Sequence, residues 1–338
     1  MVKIFDITKW TIKEWVQTIG TRDKFFVENP NDEKLYFFKE SIGKFPSEFW
    51  SEIIASKIGT LLGFNLLDYN IGIYKTTVGC ICESMVEQKS QELEHGISLI
   101  KKAVKDFRVS ERPLILFNDV EKSFIPYGNF IYQFIEMLIF DSIIGNQDRH
   151  SENWAIIRSI DVENLEYNNN RFLKWAYEKY KQSGLHLRNI PFKKYLLSTL
   201  KDAALVNIQF SKIYDSGSSL GREISESNIN TYLTNDTELK KYIKKGQSEV
   251  KWENAKINHF ELLKKLRPKF GTHISKVIEN VISKYDADKI KKMIYSIDNE
   301  LAANFQESRL SLERKDLIIK FIEFRITEIK LLLSENQD

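Results

Sequence analysis

The chain has 338 residues, 42% of them hydrophobic and 29% charged, which suits one large domain or two lobes around packed cores. Its 50 basic and 47 acidic residues leave a net charge of only +3, too balanced for a dedicated nucleic-acid binder, which concentrates basic surface. The N-terminus MVKIFDITKWTIKEW lacks the apolar run of a signal peptide, and no later stretch reaches about eighteen apolar residues. A cytoplasmic location and no membrane segment are therefore expected, a pattern that an unconventionally exported effector would share.

Residues 24–39, KFFVENPNDEKLYFFK, read as two short aromatic-rich strands around an Asn-Pro-Asn-Asp turn. SEFWSEIIASKIGTLLGF (47–64) follows as a helix with Ser47 as N-cap, an apolar stripe of Trp50, Ile53, Ile54, Ile58, Leu61 and Leu62, and Gly63 as its stop. DYNIGIYK and VGCICESMV extend the strands to about residue 86. Cys80 and Cys82 are expected to point to opposite faces of their strand and to form neither a disulfide nor a zinc site, so the compartment reads as reducing.

From about residue 92 the pattern lengthens into helices. The clearest spans 130–144, with Phe130, Phe134, Met137, Leu138 and Ile143 at helical intervals, and NWAIIRSI (153–160) then reads as a strand. Residues 161–206 are polar and partly helical, NIQFSKIYDSG (207–217) reads as a strand running into a turn, and the chain is helical from about 247. The fold class is α+β: a small β-rich N-lobe over residues 1–86 and a larger, mostly helical C-lobe over 87–338, sharing one cleft. The basic clusters LKKYIKKG (239–246), LLKKLRPK (262–269) and DKIKKMI (288–294) each read as a solvated helix face.

Chemistry concentrates in GNQDRHSENW (145–154), a polar loop delivered by a greasy helix. Phosphoryl transfer needs a carboxylate beside the incoming hydroxyl and hard oxygen ligands for magnesium. Protein kinases supply a loop Asp, an Asn five positions later and a second Asp at a strand end before Gly. Asp148, Asn153 and Asp215 have that spacing and that context. A phosphate-binding lysine should leave an N-lobe strand and meet a glutamate on the next helix. Lys39 ends LYFFK, and Glu52 shares a polar, small-residue stripe with Ser56 and Gly59, with Glu48 one turn earlier as the alternative. Arg149 could hold a phosphate or form a structural salt bridge, whereas His150 is expected to anchor the loop to the core. His95, His186, His259 and His273 are scattered and suggest no metal site.

GNQDRHSENWAII, YFFKES, SEFWSEIIASKIGTLLGF and IYDSGSSLGRE together resemble the HipA-like serine/threonine kinases, a family that includes bacterial toxin kinases and shorter CtkA-type effector kinases. The resemblance runs from about Gly20 to the C-terminal helices. It implies a bilobal protein-kinase-like fold, ATP and Mg2+ as cofactors, and a protein hydroxyl as acceptor. It makes Asp148 the catalytic Asp, Asn153 and Asp215 magnesium ligands, Lys39 the ATP-phosphate lysine, and Glu83 to Val86, with Met85, the adenine hinge. TIGTRDKFF (18–26) fits the phosphate-covering loop by position but offers only Gly20, with Arg22 and Lys24 as charges that could stand in for backbone amides. Autophosphorylation would fall on Thr18 or Thr21.

Two departures accompany the resemblance. Asn153 and Asp215 are 62 positions apart, so residues 161–206 read as an insertion that could help dock an acceptor. The chain also starts almost at the phosphate loop, without the extra N-terminal subdomain of full-length HipA, which weakens the expectation of an antitoxin partner. The other readings are a phosphatidylinositol-type lipid kinase and a non-catalytic binding protein on a kinase fold.

Overall fold

A computed structural model describes residues 2–13, 24–41, 43–87, 91–104, 115–160, 171, 174–175 and 206–334. The first six strands are β1 (Ile4–Asp6), β2 (Thr11–Ile12), β3 (Lys24–Glu28), β4 (Leu35–Lys39), β5 (Asn70–Tyr74) and β6 (Thr77–Glu83), and α1 (Glu48–Leu62) lies between β4 and β5. They form one sheet in the order β1-β5-β6-β4-β3-β2, antiparallel except where β1 runs parallel to β5. The tight β3–β4 turn is closed by the Asn29 N–H on the Lys34 carbonyl at 3.0 Å and by Glu33 at φ +56.

Alternation along the strands sorts this sheet into two faces. Val27, Tyr36, Phe38 and Ile81 bury one face in a small core with Ile7. Phe37 and Lys39, with their register partners Cys82 and Cys80, belong to the other. The two cysteines therefore share a face, contrary to the expectation, because residues two apart in a strand lie on one side. They remain unpaired, since about 6.6 Å of strand rise separates their backbones and nearly exhausts the span of a disulfide.

Trp50, Ile53, Ile54, Ile58 and Leu62 bury the apolar stripe of α1, and Gly63 ends the helix in the left-handed region at φ +88. Ser47 makes no side-chain cap. Ser41 takes that role instead, its Oγ accepting the Phe49 N–H at 2.9 Å.

A three-stranded antiparallel sheet, β7 (Gln91–His95), β8 (Ala155–Ile160) and β9 (Val206–Phe210), begins the second half. Its first strand falls where the sequence suggested helices, because QELEH has no apolar alternation and is extended only by pairing with β8. The helices are α2 (Gly96–Ala103), α3 (Phe117–Phe124), α4 (Phe130–Ile144), α5 (Ile229–Thr234), α6 (Asp236–Lys245), α7 (His259–Lys284), α8 (Ala287–Tyr295) and α9 (Leu312–Ser334). Residues 247–258 form isolated bridges, so the helical run starts at His259 rather than near 247. Between 161 and 205 only three positions are described, and the expected insertion lies outside the described residues.

α4 is the central helix, packed between α3, α7 and α9, with eleven of its residues buried. Its end determines where the polar loop begins. Gly145 adopts φ +70, and a Cβ there would lie 2.6 Å from Nη2 of the buried Arg325. The next residue is held as well, because the His259 Nε2 donates to the Asn146 carbonyl at 2.7 Å.

Gly145→Ala combines backbone strain with a clash against a buried guanidinium, so a loss of about 2 kcal/mol is expected as a lower urea midpoint. His259 supplies a pH signature. Burial, assisted by the neighbouring Arg325 charge, lowers its imidazole from 6.5 to about 4. Its folded pKa lies below the unfolded one, so the unfolded chain binds more protons in that window. Stability is therefore complete above pH 6.5 and falls as the pH drops toward 4, by at most about 3 kcal/mol. Urea unfolding at pH 7 and pH 5 should show this loss in the wild type and a smaller one in His259→Gln; equal losses in both would contradict it.

Candidate active site

Lys39 is the last residue of β4, on the face turned toward α1. Its Nζ stands 2.6 Å from Glu52 Oε1 and 2.6 Å from Asp215 Oδ1. Burial disfavours its charge, but the carboxylates of Asp215 and Glu52 outweigh burial and hold the ammonium above its ordinary pKa. Burial pushes the Glu52 carboxyl up against the pull of Lys39. Glu52 is completely buried, and its Oε2 accepts the Ser216 N–H at 2.8 Å.

Helix, strand and turn thus meet at one ammonium group. Asp215 sits in the left-handed region at φ +53, which turns the chain after Tyr214 and sets the carboxylate beside Lys39. Gly217 explains the Asp-x-Gly pattern. A Cβ there would come within 3.0 Å of Glu52 Oε1 and 3.1 Å of Glu48 Cγ, so the turn approaches α1 closely only without a side chain.

Of the two helix glutamates, Glu52 meets the lysine, and Glu48 is ion-paired with Arg222. The expected cleft-facing stripe shrinks to Glu52. Ser56 donates to the Leu67 carbonyl, and Gly59 packs against Leu66 and Phe140, because α1 also has to seat on the second lobe.

The polar loop is built on Arg149, which is buried and fully engaged. Nε and Nη2 bind both oxygens of Asp141 at 2.9 and 2.8 Å, and Nη1 donates to the carbonyls of Asn153 and Tyr214. Arg149 is therefore the structural clamp of the two alternatives. It joins the residues preceding Asp215 to the loop that carries Asp148. Asp141 is the partner that the sequence reading missed; its signal was a lone carboxylate inside the greasy run MLIFDSII.

Asp148 projects outward, its side chain 47% exposed, and Ser218 Oγ donates to its Oδ2 at 3.3 Å. Asn153 donates Nδ2 to the Asp148 carbonyl at 2.7 Å, which ties the two ends of the turn together. His150 does not anchor the loop to the core: it is partly exposed, and its Nδ1 accepts the Glu152 N–H of its own turn. The core anchors are Arg149 and His259. His95 adds a third contact from β7, with Nδ1 2.9 Å from the Glu152 carbonyl and 3.0 Å from Tyr214 Oη.

Gly20, Thr18, Thr21 and Arg22 lie outside the described residues, as does His186. Lys24 begins β3 in register with Lys39. Glu83 ends β6 and pairs with Lys34 at 2.7 Å, Ser84 continues the pairing through its N–H to the Leu35 carbonyl, and Met85 packs on the main core. The Glu83–Met85 segment thus extends the edge of β6 beside β4 and then turns onto the main core.

Asp215 and Asn153 offer a carboxylate and an amide oxygen, the hard donors that magnesium takes. Asn153 spends its NH2 on the Asp148 carbonyl, which leaves the amide oxygen as its donor atom. Among the described residues no group of three or more His, Cys, Asp or Glu could form an all-protein metal cage. Two oxygen ligands completed by phosphate oxygens are the arrangement that suits a nucleotide-bound magnesium.

No protein-family model and no curated protein sequence matches the chain. Among solved structures, the Helicobacter pylori proinflammatory kinase CtkA matches with a TM-score of 0.70 at 18% identity, covering 98% of this chain and 98% of that one. HipA from the Shewanella oneidensis MR-1 HipA–HipB–operator complex matches with a TM-score of 0.45 at 11% identity, over 94% of this chain and 65% of that one. The β-rich sheet with its single helix, joined to a helical second lobe, therefore has the kinase-like fold of CtkA.

Proposed function

We propose that the chain is an ATP- and Mg2+-dependent protein kinase of the HipA-like type that phosphorylates serine or threonine hydroxyls. The observation that carries this reading is the buried Lys39 ammonium between Glu52 and Asp215, with Asp148 hydrogen-bonded to Ser218 three residues beyond Asp215. The kinase-like fold supports it, and so does the spacing of Asp148 and Asn153.

In this reading Lys39, held by Glu52, binds and orients ATP phosphate oxygens with a charge that does not have to be reorganised. Asp148 accepts a hydrogen bond from the acceptor hydroxyl, aims its oxygen at the γ-phosphorus, and takes its proton as the new P–O bond forms. The leaving group is ADP. Asn153 and Asp215 would hold magnesium, which neutralises the phosphate charge when bound. The Glu83–Met85 hinge would receive adenine. A threonine at 18 or 21 is the nearest hydroxyl for self-phosphorylation beside Gly20.

Labelled ATP with magnesium, a generic protein acceptor and lipid vesicles tests the reading, and label transferred to the vesicles alone would overturn it in favour of a lipid kinase. Asp148→Asn should keep nucleotide affinity within about threefold while cutting phosphoryl transfer by about a thousandfold or more. Asn153→Ala and Asp215→Ala should instead weaken magnesium-dependent nucleotide binding by roughly tenfold or more. Near-normal turnover in the Asp148→Asn protein would remove it from the role assigned to it.

A further inference from the structure

The basic cluster 262–269 lies on a bent stretch of α7. Pro268 provides no N–H for the preceding turn, and Phe270 departs from helical geometry at φ −121 and ψ 15, so α7 bends there. Along the face that carries the bend lies an open hollow of about 850 Å³. Lys264, Arg267, Lys269 and Lys276 bring four cations to it, and Thr272 and Ser275 bring hydroxyls. Among the described residues its one lining carboxylate is Glu279, at the far end.

Two of the cations are poorly neutralised by the protein itself. Among the described residues Arg267 and Lys276 have no salt-bridge partner, and Arg267 Nη2 is buried without a hydrogen-bond acceptor. A buried donor left unmade costs about 1–3 kcal/mol, which an anion seated beside it would recover. The other two are paired, Lys264 with Glu261 at 3.6 Å and Lys269 with Glu121 at 2.5 Å.

We propose that this face of α7 is a docking surface for an acidic segment of the protein acceptor. Its size fits a short peptide. From Lys264 to Lys276 the helix rises at most about 18 Å, the length of about five extended residues. Its composition disfavours nucleic acid, since among the described residues no aromatic ring lines the hollow for base stacking and the Glu279 carboxylate stands at one end. Its place suits an acceptor. His259 binds the Asn146 carbonyl in the candidate catalytic loop, and Lys264 follows about 8 Å further along the helix. Acceptor docking rests on the kinase reading, whereas capture of an acidic peptide does not.

The test therefore has a binding arm without ATP. A fluorescein-labelled Glu/Asp-rich peptide without hydroxyl residues is titrated against the full chain at several salt concentrations. Competitors are inorganic phosphate and a single-stranded DNA oligomer of equal charge. The wild type should bind with salt-sensitive affinity. The double variant Arg267→Gln/Lys276→Glu should lose at least tenfold, with nucleotide affinity and melting temperature unchanged; Lys264→Glu/Lys276→Glu spares the half-buried arginine and should lose as much.

Equal peptide affinity in wild type and both double variants overturns the proposal, and so does tighter binding of the oligomer or of phosphate alone. In a kinetic arm, fusing the acidic segment to a serine-containing acceptor should lower KM about tenfold in the wild type only, with kcat unchanged. If no acceptor is phosphorylated at all, the kinase reading fails and the binding arm still decides the acidic-peptide surface. An unchanged KM with active enzyme overturns the docking role.

Discussion

The structure depends on one buried ammonium shared by two carboxylates. Lys39 and Glu52 are both withdrawn from water, and neither is tolerable there alone. Deleting one partner of a buried pair leaves an uncompensated charge that costs about 3–5 kcal/mol. Asp215 joins them from 176 positions away in sequence. The strand, the helix and the turn after β9 are therefore held in one mutual register, and the two lobes with them. Gly217 permits that register by letting the turn approach Glu48 and Glu52 without a side chain between them.

A second clamp extends this constraint to the polar loop. Arg149 takes both oxygens of Asp141 on the central helix and uses its remaining donor to gather the carbonyls of Asn153 and Tyr214. The loop end and the residue before Asp215 are thereby fixed to a common point. His259 and His95 brace the same loop from α7 and β7. Oxygen-bearing groups held this firmly before any ligand arrives need little reorganisation to act on one, which is the physical basis of electrostatic preorganisation.

The legible parts of the fold were those dictated locally. α1 and α4 announced themselves by apolar spacing, and the left-handed exits at Gly63 and Gly145 are ones a glycine makes without strain. β7 was illegible because QELEH carries no alternation, and pairing with β8 is what extends it. The Ser47 cap failed because the Ser41 hydroxyl takes the Phe49 N–H at the start of the helix. The bend in α7 was written in Pro268, but the charged hollow along it required knowing which face stayed uncovered.

The sequence by itself determined the candidate chemistry: the spacing of Asp148 and Asn153, an Asp-x-Gly at 215–217, and a lysine at a strand end thirteen positions before a helix glutamate. Covalent spacing preserves such information, because residues a few positions apart on one element have nearly fixed relative geometry. Only the tertiary structure decided that Glu52 rather than Glu48 meets Lys39, that Arg149 is a clamp on Asp141, and that His150 stays at the surface. Those choices turn on which buried charge finds which partner, whether 8 positions away, as for Arg149 and Asp141, or 176, as for Lys39 and Asp215. That competition between desolvation and pairing is settled only when the whole chain has folded around it.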